Sequence, residues 1–249
     1  LEEGVTSEAS SLAGLQKLAS LVVLYDDNHI SIEGDTAIAF GEDVVERYRA
    51  YGWATHRVGM NEDGSIDVPA VYAALQQAAT ETERPTFIQV RSIIGWPAPD
   101  LKNTGKIHGS ALGEEEVRKT KVALGLDPDA HFAFPADLLD EVRSALRHRV
   151  DDARTAWDAA YGQWRADQPE RAVLLDRLLA HDLPAGLEDA LPVFPVGGSM
   201  ATRKASGEVI NAIAEVMPEL WGGSADLAGS NNTTIEGAPS FLPAGNPAG

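Results

Sequence analysis

The stretch LASLVVLYDDNHISIEGDT, residues 18–36, decides the fold. Within it Leu21, Val22, Val23 and Leu24 run without alternation and give way at once to Tyr25, Asp26, Asp27 and Asn28. A short unalternating apolar run suits a strand covered on both faces, as in a parallel sheet between layers of helix. In open α/β sheets, ligands sit just outside the carboxyl ends of such strands. Here that end carries side-chain oxygens followed by Gly34, and oxygens are what a hard cation such as Mg²⁺ takes; the cation would in turn hold a diphosphate. The same residues also read as nothing more than the turn that ends a strand, since Asp and Asn are ordinary turn residues.

Working outward, the neighbouring segments supply the rest of a layered α/β domain. Residues 2–17 read as a helix with Ala9, Leu12, Ala13 and Leu15 inward, and small residues such as Ser10 and Gly14 that let another backbone come close. Residues 41–52 place Val44, Val45 and Tyr48 on one helical face, with Glu46, Arg47 and Arg49 largely on the other. Residues 54–58 suit a short strand. Residues 67–82 suit a helix capped by Asp67 and carrying Val71, Leu75 and Ala78 inward. PTFIQVRSII, residues 85–94, is rich in β-branched and aromatic residues and reads as a strand. Strand, helix, strand, helix, strand at this spacing predicts βαβ units and a parallel sheet. Parallel strands bring residues 26–30 and 94–96 to one edge. The Gly/Pro-rich loop at 95–113 leaves from that edge carrying His108, and loops held by a rigid sheet often carry function.

Beyond Gly113 the pattern turns helical to about Ala180. Glu114, Glu115 and Glu116 open the first helix at the positive end of its dipole, and a long run after Pro135 interleaves opposite charges as a scaffold helix would. The prolines and glycines of residues 182–199 mark a linker, dividing a domain at 1–181 from a second at 200–249. There ATRKASGEVINAIAEVMPELWGG reads as a helix leading to a strand that begins a second α/β domain.

Composition bounds the function. The 249 residues carry 20 basic and 38 acidic side chains, a formal charge of −18, which argues against nonspecific nucleic-acid binding because that needs basic patches. A few local basic groups can still receive a phosphorylated small substrate. There is no cysteine, so disulfides, thiolate catalysis and cysteine zinc sites are excluded. No apolar run approaches the roughly 18 residues of a membrane span, and a cytoplasmic protein is expected. Opening directly in LEEGVTSEASS and closing on LPAGNPAG, the sequence is expected to be an internal piece of a chain more than twice as long.

Five separated motifs, LEEGVTSEASSLAG (1–14), YDDNHISIEGD (25–35), GKIHGSALG (105–113), ATRKAS (201–206) and WGGSADLAGSN (221–231), closely resemble the transketolase family of thiamine diphosphate enzymes, in that family's order. The resemblance implies an α/β thiamine-diphosphate-binding fold in which residues 1–181 form most of the diphosphate-binding domain and residues 200–249 begin the pyrimidine-binding domain. It implies transfer of a two-carbon ketol unit from a ketose phosphate to an aldose phosphate in the pentose phosphate pathway, with thiamine diphosphate and Mg²⁺ (or Ca²⁺ or Mn²⁺) as cofactors. By the same resemblance Asn28 and the carbonyl of Ile30 hold the metal, Ile32 and Ile94 pack on the thiazolium ring, and Asp226 contacts the thiamine. His108 contacts the diphosphate and assists at the reacting oxygens of the substrate, while Arg203 and Ser230 bind the sugar phosphate. Glu3 and Glu8 lie at the interface of a homodimer whose active sites form between subunits. The family's GDG aspartate, the first metal ligand, has no counterpart in these 249 residues, so the piece alone is expected to be inactive. Two other classes stay open: the diphosphate-binding subunit of a split thiamine enzyme, and a non-catalytic interaction module.

Overall fold

The structure is a computed structural model and describes residues 4–243. It divides into two compact units, the first of residues 4–133 with 240–243 and the second of residues 134–239.

The first unit opens with α1 (Gly4–Leu15), followed by β1 (Val22–Asp27), a two-residue hairpin of β2 (Ile30–Ser31) and β3 (Gly34–Asp35), and α2 (Val44–Ala50). Then come β4 (Ala54–Val58), α3 (Val68–Thr80), β5 (Thr86–Arg91), the 95–113 loop and α4 (Glu114–Ala123). The sheet is parallel in the order β1-β5-β4, with Asp27 opposite Arg91 at one edge and Val58 opposite Val90. The expected parallel sheet flanked by helices is therefore present.

Two apolar clusters pin this sheet. On one face Val44, Val45 and Tyr48 of α2 pack with Ala13, Trp53 and Phe87, as the helical spacing of α2 predicts. Tyr48 stacks on Phe87 with ring centroids 3.8 Å apart, and its hydroxyl accepts a buried hydrogen bond from Ser10 Oγ at 3.1 Å. On the other face Ala74 and Ala78 of α3 meet Val58, Ile88 and Val90. Both α2 and α3 start on an aspartate cap, Asp43 accepting from the Glu46 N–H and Asp67 from the Ala70 N–H. Gly14 lets α1 touch the end of α2: a Cβ there would lie 1.9 Å from the Tyr51 carbonyl oxygen.

Several expectations need correction. The strand in the opening stretch is not buried on both faces. As the outer strand of the order β1-β5-β4 it has one strand neighbour among the described residues, and Leu24 is 49% exposed, whereas Phe87 and Ile88 of central β5 are fully buried. In α1 only Ala13 and Ser10 are buried, while Ala9, Leu12 and Leu15 are exposed, because the helix rests on α2 along its small-residue side. Leu75 is 37% exposed, and Ala74 is the buried residue beside it. β5 stops at Arg91 rather than Ile94.

The second unit holds α5 (Ala136–Asp167), α6 (Pro169–Ala180), α7 (Leu187–Ala190), α8 (Thr202–Val216) and α9 (Ala228–Asn231). α5 has no buried residue, consistent with charge around most of its circumference, and Trp157, Tyr161 and Trp164 stack along it. Arg165 ties α5 to α6 through both carboxylate oxygens of Asp176, each at 2.7 Å. The strand expected after α8 is absent among the described residues. Residues 217–227 form turns and coil, as a strand must when no neighbour offers it a ladder of hydrogen bonds. No described helix is long and apolar enough to cross a membrane.

Candidate active site

The carboxyl ends of β1 and β5 meet in one hydrogen-bonded corner of the first unit. Gln89 Nε2 donates to Asp27 Oδ2 at 2.7 Å, and Asp27 is buried. Arg91 Nη1 donates to the carbonyls of Asp27 (2.5 Å) and Ser92 (2.9 Å). Ser92 Oγ donates to Asp26 Oδ1, whose other oxygen accepts from Asn28 Nδ2 at 3.3 Å. Asn28 Oδ1 accepts the Ile30 N–H at 2.9 Å, closing a tight turn in which His29 takes a left-handed φ of 60°. His29 Nε2 lies 3.3 Å from Asp27 Oδ1.

This turn aims oxygen atoms. Thr36 N–H donates to the His29 carbonyl at 3.0 Å, so in the alternating antiparallel ladder Ile30 and Asp35 form the next, unbonded pair. The N–H and C=O of Ile30 therefore face away from β3, on the side of the Asn28 amide. Two neutral oxygens, Asn28 Oδ1 and the Ile30 carbonyl, fit part of the six-oxygen shell that Mg²⁺ demands. They are not a complete site: among the described residues no three His, Asp or Glu side chains converge as metal ligands. Asp26 and Asp27 spend their oxygens on Ser92, Asn28 and Gln89 instead.

The 95–113 loop folds back onto the same corner through two glycines. Ile107 lies over Gly95, where a Cβ would meet its Cδ1 at 2.1 Å, and the Asn103 N–H donates to the Ile94 carbonyl at 2.9 Å. Gly105 lies against the β2–β3 turn: a Cβ there would stand 2.7 Å from the Ile32 carbonyl oxygen and 3.0 Å from that of Ser31. His108 follows directly, its N–H bonded to the Gly105 carbonyl at 3.1 Å and its side chain exposed. Asn28, Ile30, Ile32, Ile94 and His108, drawn from segments far apart in sequence, thus belong to one corner. Ile32 is 70% exposed at the hairpin tip, an apolar surface that the core does not use.

The base of the loop is held by a residue that sequence reasoning treated otherwise. Glu116 is buried, and its Oε1 accepts from the backbone N–H groups of Asp100 (2.8 Å) and Leu101 (3.2 Å). A second missed feature lies on the α2 face of the sheet, a cavity of about 350 Å³ lined by Tyr25, Asp27, His29, Phe40, Arg57 and Gln89 among others. Arg57 Nη2 spans both oxygens of Asp43 at 2.6 and 2.7 Å at its rim. That hydrogen bond, then the Glu46 N–H, holds the Asp43 carboxyl below the usual carboxylate range. The signal available in the sequence was the pair of polar residues, Arg57 and Gln89, interrupting otherwise strand-like segments.

Of the remaining expected residues, Glu8 stands exposed on α1, and Glu3 lies outside the described residues. In the second unit Arg203 sits in the first turn of α8 and Ser230 within α9, both exposed, with Asp226 exposed in the coil before α9. α8 and α9 pack closely at Gly207, where a Cβ would meet the Asn232 carbonyl oxygen at 2.9 Å. A cavity of about 400 Å³ beside them is lined by Lys204, Gly207, Asn211 and Asn232 among others, but by neither Arg203 nor Ser230.

Comparison with known proteins bears on this arrangement. The family model described as "Transketolase, thiamine diphosphate binding domain" matches residues 1–184. A transketolase of Mycobacterium leprae is 52% identical over 244 residues, covering 98% of this chain and 34% of that protein. One from Geobacillus stearothermophilus is 42% identical over 243 residues, with coverages of 98% and 36%. The solved transketolase of Pichia stipitis in complex with sedoheptulose 7-phosphate superposes with a TM-score of 0.86 at 36% identity, covering 98% of this chain and 35% of that one. The chain thus spans about a third of the length of the relatives it matches. It belongs to the transketolase family, and residues 1–184 match that family's thiamine diphosphate binding domain.

Proposed function

We propose that this chain contributes the diphosphate-binding half of a transketolase active centre, working in ketol transfer between sugar phosphates in the cytoplasm. The observation that carries the reading is the seating of Gly105 against the Ser31–Ile32 backbone, which joins the His108 loop to the oxygen-bearing turn after β1. Asn28 and the Ile30 carbonyl would hold a divalent cation, Mg²⁺ by preference, and through it the diphosphate of the cofactor. Exposed Ile32 and partly buried Ile94 offer apolar surface to a ring. Thiamine diphosphate, when bound, supplies the carbon nucleophile and the electron sink for cleavage beside a ketose carbonyl.

His108 would act on the substrate. Its exposed imidazole would donate a hydrogen bond to a carbonyl oxygen of the substrate, which gains charge when a nucleophile adds to its carbon, and there a fixed donor contributes most. Arg203 and Ser230 grip the substrate phosphate, guanidinium as a planar fork and hydroxyl as a further donor, while Asp226 contacts the thiamine. A domain division at 182–199 is supported by a family match that ends at residue 184, whereas the compact units of the fold divide at 133/134 and residues 134–239 pack as one. Glu3 and Glu8 belong to the interface of a homodimer.

The test is ketol transfer by the native polypeptide that contains this chain, with xylulose 5-phosphate and ribose 5-phosphate. Activity should require thiamine diphosphate and Mg²⁺ and should collapse in Asn28→Ala. The 249 residues alone, which offer two neutral metal oxygens and no GDG aspartate, should show none. Transfer that ignores Mg²⁺, or survives Asn28→Ala intact, refutes the reading.

A further inference from the structure

We infer that Asp26 is a positioning residue for the metal-binding amide, fixing which end of Asn28 faces the cation; the inference rests on the functional reading above. An asparagine amide has an accepting end and a donating end of nearly the same shape, and only the oxygen can bind a cation. Here the two ends are sorted by their partners. Asn28 Oδ1 receives the Ile30 N–H at 2.9 Å, and Asn28 Nδ2 points at Asp26 Oδ2 at 3.3 Å. A carboxylate is acceptor only, so a rotation of the amide by half a turn would set oxygen against oxygen at Asp26 and N–H against N–H at Ile30. The rotated amide would also turn its NH₂ toward the cation.

Asp26 is itself steered. Its other oxygen accepts from the hydroxyl of Ser92, a buried residue at the end of β5. The line Ser92, Asp26, Asn28 therefore runs from the central strand of the sheet to the metal oxygen, and the parallel register that puts Asp26 opposite Val90 brings it within reach of Ser92. In this arrangement Asp26 gives one oxygen to the Asn28 NH₂ group and the other to the Ser92 hydroxyl. Groups that orient metal ligands are worth roughly 10- to 100-fold in metal affinity when removed.

The experiment measures Mn²⁺ binding by electron paramagnetic resonance, in the presence of thiamine diphosphate, on the native polypeptide containing this chain. Asp26→Ala should raise the Mn²⁺ dissociation constant roughly tenfold or more, and the Mg²⁺ concentration for half-maximal activity should rise by more than kcat at saturating Mg²⁺ falls. Asp26→Asn should recover most of the affinity, since its amide oxygen still accepts from Asn28 while the Ser92 hydroxyl turns to accept. Ser92→Ala should give a smaller loss of the same kind, and it carries the test if Asp26→Ala does not fold. An unchanged dissociation constant in folded Asp26→Ala, or Asp26→Asn as weak as Asp26→Ala, overturns the inference. Asn28→Ala separates the two levels. If it too leaves Mn²⁺ binding unchanged, the metal-site reading itself has failed; if it weakens binding while the Asp26 and Ser92 variants do not, only the positioning role has.

Discussion

Removing the Glu116 carboxylate should loosen the loop that carries His108, and the size of the effect can be worked from two bonds. Glu116 is 6% exposed and accepts through one oxygen, Oε1, from the N–H groups of Asp100 at 2.8 Å and Leu101 at 3.2 Å. Hydrogen bonds to a charged group contribute about 1.5–3 kcal/mol each, so with both bonds at the low end Glu116→Ala should cost about 3 kcal/mol locally. The competing tether is the Lys119–Asp100 ion pair at 2.8 Å, whose partners are 41% and 61% exposed. An exposed pair of that kind is worth about 0.2–1 kcal/mol, so it cannot hold the loop base by itself.

The assay is native-state hydrogen exchange at the Asp100 and Leu101 amides, since the chain has two units and a single melting curve would mix them. A loss of about 3 kcal/mol predicts exchange faster by roughly two orders of magnitude at both amides. Glu116→Gln is the decisive control. Its amide keeps an accepting oxygen where Oε1 stands, so both bonds can re-form without charge assistance, and the cost should fall to about 1–2 kcal/mol. Exchange that rises less than about fivefold in folded Glu116→Ala would show that the carboxylate does not anchor the loop. Equal effects of Ala and Gln would show that charge, rather than the accepting oxygen, matters.

Three further outcomes are expected. Gly105→Ala forces a methyl to within 2.7 Å of the Ile32 carbonyl oxygen and should part the loop from the hairpin at a cost of about 1–3 kcal/mol, read as shifts of the Ser31–Gly34 amide resonances; unmoved resonances would refute the close approach. Tyr48→Phe removes the acceptor for the buried Ser10 hydroxyl while keeping the ring stack on Phe87, so denaturant unfolding of the first unit should show a loss of about 1 kcal/mol, against about 3–5 kcal/mol for Tyr48→Ala. Asp43 has its pKa lowered in the folded chain, chiefly by the Arg57 hydrogen bond, so it contributes stability above the ordinary carboxylate range that is lost as pH falls below about 4. Arg57→Gln should flatten that acid limb in a pH series of unfolding curves, and an unchanged limb would remove the pair from the account.

The parts of the fold legible in the sequence were those set by local spacing. Val44, Val45 and Tyr48 recur at helical intervals and form the buried face of α2, and Asp67 caps α3 as its position before the apolar run predicts. What failed was burial that depends on neighbours. Four apolar residues in a row at 21–24 say that a strand is apolar, not how many strands lie beside it; with β5 its one strand neighbour among the described residues, Leu24 is left half open. Glu116 was hidden for a related reason. As the third of three glutamates it reads as a dipole-compensating first turn, and nothing nearby in the chain announces the two N–H groups 15 and 16 residues earlier that it satisfies.

The candidate site divides along the same line. A parallel sheet with β1 beside β5 brings the ends of both strands to one edge whatever the side chains, so the nearness of Asn28 to Ser92 and Ile94 follows from topology. The return of His108 to that edge does not follow from topology. It rests on the contacts at Gly95 and Gly105, where any Cβ would collide with Ile107 or with the hairpin backbone, and on the buried Glu116 oxygen at the loop base. Glycine in a loop ordinarily signals a turn, and periodicity cannot tell a turning glycine from one that exists to be touched. The chemistry at the corner is carried on a rigid part, the strand ends with their network through Asp26, Asp27, Gln89 and Arg91, and on a part held by only a few contacts. Perturbing either part alone should therefore separate the metal binding proposed for the strand ends from the placement of His108 by the loop.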